Sequence, residues 1–503
     1  MKAIDALARH GLADGGVKLG GFISRQRWFA GKQREIASTT VEDAAPLRQG
    51  EVAVIVVIAR VQYEDGGVER YHVPLAARHD ASTVWEGNVV GTGVREGRDV
   101  VFYDALADGD GAWAFWEAMA SGAEIDTDAG AVMARNEGLA LDVDGPQSIR
   151  PLGREQSNSS MVRAEREVLK VFRRLTEGLS PEIEMTEALA ERGFTHVPAP
   201  LSVMQYRREG HEDTLLAIVQ PYLTGGTEGW ALALTSLRDL LASAAAGDEP
   251  EGMAADAAVL AQGSNFIPES ERIGQVTARM HLALAGDGLP PPLRPEPIAP
   301  ATLRAWAEAM RGELDGLIER GGEAVQALLP VRPQLHRALL AITELADRGL
   351  AIRYHGDYHL GQLLRTNSGW TVLDFEGEPD RDIEARRARS SPLRDVAGMM
   401  RSLDYAAAVE LRDWSEPAKP DHPLLASRAE AWARLNREAF WRAYLAEVTG
   451  TPLLPSEAAA SVLLRAFQIQ KAVYEVAYEL GHRPDWVTIP LAFLLGAAAG
   501  GEP

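Results

Sequence analysis

Two aspartates, Asp357 and Asp374, lie 17 residues apart in different settings. Asp357 sits in a turn, within His355-Gly356-Asp357-Tyr358-His359-Leu360-Gly361-Gln362. Asp374 follows an apolar strand-like run, Trp370-Thr371-Val372-Leu373, and opens Asp374-Phe375-Glu376. A His-x-Asp turn or an Asp-Phe pair is common by chance when met alone. In this order, with a strand between them, they restrict the chain to folds that bring two carboxylates to one reaction centre.

The elements upstream narrow the fold. Residues 4–30 read as a short helix and a turn, and the β-branched run at 51–60 as a strand. Residues 61–63 and 70–73 flank Asp65-Gly66-Gly67, a hairpin turn signal. Residues 112–120 read as helix. Strand character returns at 162–173, around Val168-Leu169-Lys170-Val171-Phe172. A helix is predicted over 180–192, with Ser180 as N-cap and Pro181 at the first position. Residues 215–222 form another apolar strand, and beyond Thr227 the pattern is mostly helical. Residues 242–263, rich in Ala, Gly, Asp and Glu, and the Pro-rich stretch 284–300 read as linkers. This order predicts an α+β, bilobal protein-kinase-like fold with an extra N-terminal strand-rich cap subdomain and a mainly helical C-terminal lobe. The expected divisions are a cap at 1–100, an intermediate subdomain completing the N-lobe at 101–222, and the helical C-lobe with the catalytic site at 223–503.

Phosphoryl transfer needs an oriented acceptor hydroxyl, a metal bridging the phosphates, a cation on the phosphates and shielding from water. Asp357 is the candidate catalytic base. Gln362, five residues on, offers an amide oxygen, and with Asp374 and Glu376 forms a candidate Mg²⁺ site, since Mg²⁺ takes a few hard oxygen ligands beside phosphate oxygens. Lys170, between apolar strand residues, is the candidate contact to the ATP phosphates, and Glu184 on the next helix its partner. Ser157, Asn158 and Ser159 belong to a polar turn that either covers phosphates or is a plain hairpin turn. Gln220 and Tyr222 would form a hinge beside the adenine. His355 and His359 are four residues apart, but a zinc site needs further ligands and no His-Glu-x-x-His helix exists. His355 reads as a buttress of the loop or a substrate contact, and His359 as reaching the substrate or packing. Gly91-Thr92-Gly93 has its third glycine misplaced and no βαβ setting, so it is not a dinucleotide fingerprint.

Charge and composition exclude other classes. The formal charge is −21, from 51 basic and 72 acidic residues, which opposes general nucleic-acid or anionic-membrane binding. There is no cysteine, so disulfides, thiol nucleophiles and Cys-based zinc sites are absent. No uncharged apolar run reaches membrane-spanning length, and residues 1–19 have no signal-peptide core. A cytoplasmic location is the expectation.

Several segments resemble the maltokinases of actinobacteria, relatives of the aminoglycoside phosphotransferases and of the eukaryotic-type kinase fold. They are Ser24 to Lys32, Glu155 to Ser159, Leu169 to Arg174, Gly229-Trp230-Ala231, Tyr354 to Leu364, Asp374 to Pro379, Ser391 to Gly398 and Lys471 to Pro484. The resemblance implies MgATP-dependent phosphorylation of maltose at its anomeric hydroxyl, giving maltose 1-phosphate and ADP for α-glucan synthesis. It also implies functional association with a trehalose-processing enzyme. Other members of the branch act on glucosamine or other hexoses, which is the alternative acceptor reading; a nucleotide-binding pseudokinase is the alternative of another class. Lys471, Tyr474, Glu475 and Tyr478 share one helix face, with Arg483 after them. Aromatic rings with charged hydrogen-bonding groups suit a sugar; the other reading is a solvated face with Lys471 and Glu475 as an ordinary pair.

Overall fold

The computed structural model describes residues 15–79, 86–95, 98–141, 145–153, 158–247, 250, 252–263, 265–378, 381–414, 416–417 and 419–500. The chain divides into two compact units, Met1–Glu187 with Pro198–Thr224 and Ala188–Val197 with Gly225–Pro503.

The first unit is built on two sheets of mostly antiparallel hairpins. The first contains β1 (Ile36–Arg48), β2 (Ala53–Tyr63), β3 (Val68–His72), β4 (Leu75–Arg78), β5 (Val89–Arg95) and β6 (Arg98–Asp104). The second contains β7 (Glu124–Asp126), β8 (Gly130–Asn136), β9 (Ile149–Pro151), β10 (Asn158–Arg163) and β11 (Glu167–Phe172). A short β12 (Arg174–Leu175) returns to pair with β3, while β13 (Ser202–Arg208) and β14 (Thr214–Pro221) complete the second sheet. The Asp65-Gly66-Gly67 turn joins β2 to β3, with Gly66 at φ +85°.

β2 explains the layering. Its run Ala-Val-Ile-Val-Val-Ile-Ala is buried on both faces, as an interior strand between two layers must be. Val54, Val56 and Ile58 pack on the helix Gly109–Ser121 through Phe115, Trp116 and Met119. Ile55, Val57 and Ala59 face the other way, toward Leu19, Phe22 and Ile23 of the helix Gly15–Arg25. Leu169 and Val171 of β11 join the core of Phe115 and Trp116, so that helix lies between the two sheets.

The second unit is mainly helical. Its core joins the helices Gly229–Ala246, Ile267–Leu284, Leu393–Trp414, His422–Val448 and Glu457–His482 through buried rings such as Phe266, Trp370 and Trp432. The stretch 242–263, expected as a linker, is instead largely helix: Gly229–Ala246 runs into it and Ala255–Ala261 follows, with Val259 fully buried. Alanine is the strongest helix former, so an Ala-rich segment that packs one face becomes helix. No helix among the described residues is long and apolar enough to cross a membrane.

Candidate active site

In the second unit the hairpin Leu363–Thr366/Gly369–Val372 joins the two aspartate motifs. Its register sets Leu373 beside Gln362, the Leu373 amide donating to the Gln362 carbonyl at 2.9 Å. Gln362 Nε2 then donates to Asp374 Oδ2 at 3.2 Å. Asp374 has φ +63°, a left-handed conformation that Asp tolerates better than most residues but that costs about 1–3 kcal/mol. The surroundings hold it there. Phe375 is buried, its ring 4.8 Å from that of His355, and His355 Nε2 bonds the Leu373 carbonyl at 2.8 Å.

The loop bearing Asp357 is fixed from below by Asp395, in the first turn of the helix Leu393–Trp414. Its carboxyl accepts from the amides of His355 at 2.8 Å and Gly356 at 3.0 Å, and meets His281 Nε2 at 3.1 Å. The helix approaches so closely that a Cβ on Gly398 would lie 2.6 Å from the Tyr358 carbonyl. Gly356 itself turns at φ +88°. Asp395, Arg381, Arg394 and Glu378 were given no role by sequence reasoning. Their only signal was that Asp395, Arg394 and Glu378 fall inside the segments carrying the family resemblance.

Asp357 faces a cation from the helix Glu457–His482. Lys471 Nζ lies 3.3 Å from Asp357 Oδ1 and 3.0 Å from Glu378 Oε1, while Arg381 bonds the other oxygen of Glu378 at 2.5 Å. Burial pushes the Asp357 carboxyl up, but Lys471, His359 and His355 outweigh it and hold it below its ordinary value. Burial likewise raises Glu378, and Lys471 and Arg381 bring it below the usual range. Burial lowers the Lys471 ammonium, yet Glu378, Asp357 and Glu475 raise it overall. The group is therefore two ionised carboxylates around one ammonium. Lys471, Tyr474, Glu378, Arg381 and Arg394 line a tight pocket of about 40 Å³ beside Gly356.

The structure thus brings Asp357, Lys471 and Tyr474 together, with Gln362 and Asp374 as a neighbouring pair. His355 is 1% exposed and both ring nitrogens are engaged, Nδ1 accepting from the Asp357 amide at 3.3 Å. These contacts are those of a buttress of the loop. His359 is half-buried, its Nδ1 accepting from the Gly361 amide at 3.0 Å and its Nε2 3.8 Å from Asp357 Oδ2. Burial lowers its pKa, although Asp357 opposes this. Three residues of the predicted sugar face have other neighbours. Glu475 is paired with buried Arg401 at 2.9 Å, Tyr478 stacks on His482, and Arg483 bonds Glu479 at 2.9 Å. None of the three lines the pocket. Glu376 follows Phe375 in the turn after Asp374.

In the first unit, strand register sorts the predicted nucleotide residues. Lys170 is opposite Ser160 on β10 and Ile218 on β14. Asn158, Lys170 and Gln220 therefore share one sheet face, because side chains alternate along a strand and opposed residues share a side. The helix Pro181–Glu191, carrying buried Glu184, packs on that face through Ile183. Ser159 belongs to the opposite face, and its hydroxyl accepts from Arg173 Nε at 2.8 Å, so its side chain is not turned toward Lys170. Gln220 is buried, its amide donating to the Pro198 carbonyl at 2.9 Å, which leaves that donor engaged within the unit. The Tyr222 amide donates to the Arg166 carbonyl at 2.7 Å, and Arg150 lies over its ring. Ser157 lies outside the described residues.

Residues 22–108 match the maltokinase N-terminal cap domain, and residues 148–377 match the phosphotransferase enzyme family. A glucosamine kinase of Streptacidiphilus jiangxiensis is 32% identical over 67% of this chain and 70% of its own. A glucosamine kinase of Mycolicibacterium smegmatis (strain ATCC 700084 / mc(2)155) is 30% identical over 69% of this chain and 78% of its own. A solved glucosamine kinase in complex with glucosamine, ADP and inorganic phosphate superposes with a TM-score of 0.64 at 25% identity, covering 94% of this chain and 98% of that one. Fold and site together define a phosphotransferase that acts on a hydroxyl acceptor. The chain belongs to the maltokinase-like branch of the aminoglycoside-phosphotransferase-like kinases.

Proposed function

We propose that this chain transfers the γ-phosphoryl group of ATP to the anomeric hydroxyl of maltose, giving maltose 1-phosphate and ADP. In this reading Asp357 orients the acceptor hydroxyl and takes its proton as the new O–P bond forms and the β–γ bridging bond breaks. Its lowered pKa supports the ionised, proton-accepting state. Lys170, paired with Glu184, holds the phosphates of the nucleotide. Asn158 and the main chain around Ser159 cover them, and the chain at Gln220 and Tyr222 borders the adenine.

Asp374, the Gln362 amide oxygen and Glu376 would hold Mg²⁺. The donor set fits, since Gln362 and Asp374 already touch and a turn of the amide about its last bond presents oxygen in place of nitrogen. Bound there, the metal would supply charge neutralisation at the β- and γ-phosphates. The division into a cap at 1–100, an intermediate subdomain at 101–222 and a C-lobe at 223–503 belongs to the same reading.

The observation that carries the choice of a neutral sugar is Lys471. Its ammonium occupies the space between Asp357 and Glu378, and Arg381 and Arg394 add positive charge to the same pocket. A cation there repels a second cation but hydrogen-bonds neutral hydroxyls. The pocket is small, so the disaccharide extends past Tyr474 toward Tyr478, whose rings are 6.3 Å apart and of which Tyr478 is exposed. Glucosamine is the second reading, favoured by the named activity of the two relatives given above. Incubation with MgATP and a sugar panel, with products read by ³¹P NMR, separates them. The expected product is an anomeric phosphate from maltose; turnover of glucosamine without turnover of maltose overturns the proposal.

A further inference from the structure

The first unit holds a larger cavity of about 450 Å³, whose wall includes Asn158 and Ser159 of the turn assigned to the nucleotide. It lies where the cap meets the second sheet. Ser159, Met161 and Arg173 contribute to its wall, and strand alternation sets Ser159 and Met161 on the face away from Lys170. Its remaining lining is divided by chemistry. Trp28, Leu106 and Met161 are apolar, whereas Arg25, Arg27 and Arg173 are cationic.

Asp104 is the acid on this wall, and it is fully engaged. Arg173 Nη2 reaches both of its oxygens, at 3.0 and 2.8 Å, and Asp104 Oδ1 also accepts from the Leu106 amide at 3.0 Å. Arg173 is 2% exposed, stacks over Trp28, and keeps its buried Nη1 without a hydrogen-bond partner. A buried unsatisfied donor costs about 1–3 kcal/mol. Arg25 and Arg27 make no ion pair among the described residues, in a chain whose net charge is −21.

Three guanidinium groups against one committed carboxylate select an anion, and their planar donor forks match phosphate. The volume falls within the roughly 300–1,000 Å³ of small-molecule sites and exceeds what a bare phosphate needs. The apolar wall suits a carbon skeleton. We infer that this cavity binds a small organic phosphate ester, with its phosphate held by Arg25, Arg27 and Arg173. The site stands on the first unit alone. Only its consequence for the reaction, through the Arg173–Ser159 bond into the turn assigned to the nucleotide, rests on the proposed function.

The test is calorimetric titration of glucose 1-phosphate into the full chain saturated with MgADP. The wild type is expected to bind one equivalent. In the Arg25→Gln/Arg27→Gln double variant, which alters exposed side chains, affinity should fall by at least about tenfold, with ADP affinity and melting temperature unchanged. Inorganic phosphate should displace the ester, and unphosphorylated glucose should not compete. Absence of binding at millimolar ester overturns the inference. So does equal affinity in the double variant, which would put the ester in the acceptor pocket, or equal binding of glucose.

Discussion

At the scale of single residues, the behaviour of the site turns on the ammonium of Lys471. It holds Asp357 and Glu378 ionised against a burial that would otherwise raise them. Both carboxyls have folded-state pKa values lowered from ordinary values of 3.8 and 4.5. Their contribution to stability is therefore present above those values and lost as pH falls through the lowered ones. Lys471 is raised above 10.5, so its contribution is complete below that value and lost only as pH rises through the higher folded value. Replacing Lys471 by Met removes the compensating charge. The variant should lose about 3 kcal/mol at neutral pH, the lower end for breaking a buried pair, as measured by urea denaturation. The acid limb of its kcat profile should move to higher pH, because Asp357 then feels burial with less opposition. An acid limb unmoved by Lys471→Met would mean that another group sets it.

At the scale of elements, the helix Leu393–Trp414 is the mould of the loop bearing Asp357. Asp395 satisfies two loop amides and Gly398 admits the Tyr358 carbonyl. Asp395→Ala leaves those amides buried without an acceptor and should cost about 3 kcal/mol or more. Gly398→Ala forces a Cβ against main chain and should cost about 1–3 kcal/mol. Both should lower kcat far more than they change ADP affinity, as equilibrium unfolding, kinetics and calorimetry would show. Much of this architecture was legible in the sequence. The Asp65-Gly66-Gly67 turn, the double-sided apolar run of β2 and the Pro181 start of its helix each follow from local chemistry. Between the two aspartate motifs one strand was legible, whereas the hairpin that joins them came from the structure. Asp395 was not legible as a clamp, since its partners lie 40 and 39 residues away and only packing selects them. The helix face predicted to meet the sugar was only partly legible as a set of neighbours. Helical spacing gave Lys471 and Tyr474 a common side, but not that Arg401 from another helix engages Glu475.

At the scale of the whole molecule, the cap is built into the first unit rather than appended to it. Asp43 on β1 is buried and accepts from Tyr206 on β13 and from Thr127, each at 2.5 Å. Arg173 and Asp104 make a second bridge between the two sheets. The cap and the second sheet should therefore open as one cooperative body. Hydrogen exchange should show β2 and β11 losing protection together, and Asp43→Ala should weaken both by about 3 kcal/mol through its stranded donors. Protection lost in β2 alone would make the cap an independent module.

The proposed reaction rests on Asp357 as the base. Steady-state turnover of maltose and calorimetric nucleotide affinity, measured on the Asp357→Asn variant, test this most directly. The substitution keeps the side-chain shape and removes the charge proposed to accept the hydroxyl proton. The account predicts that kcat falls by about 10²–10⁴-fold while ADP affinity stays within a factor of about two. A variant that turns over maltose at the wild-type rate would contradict it.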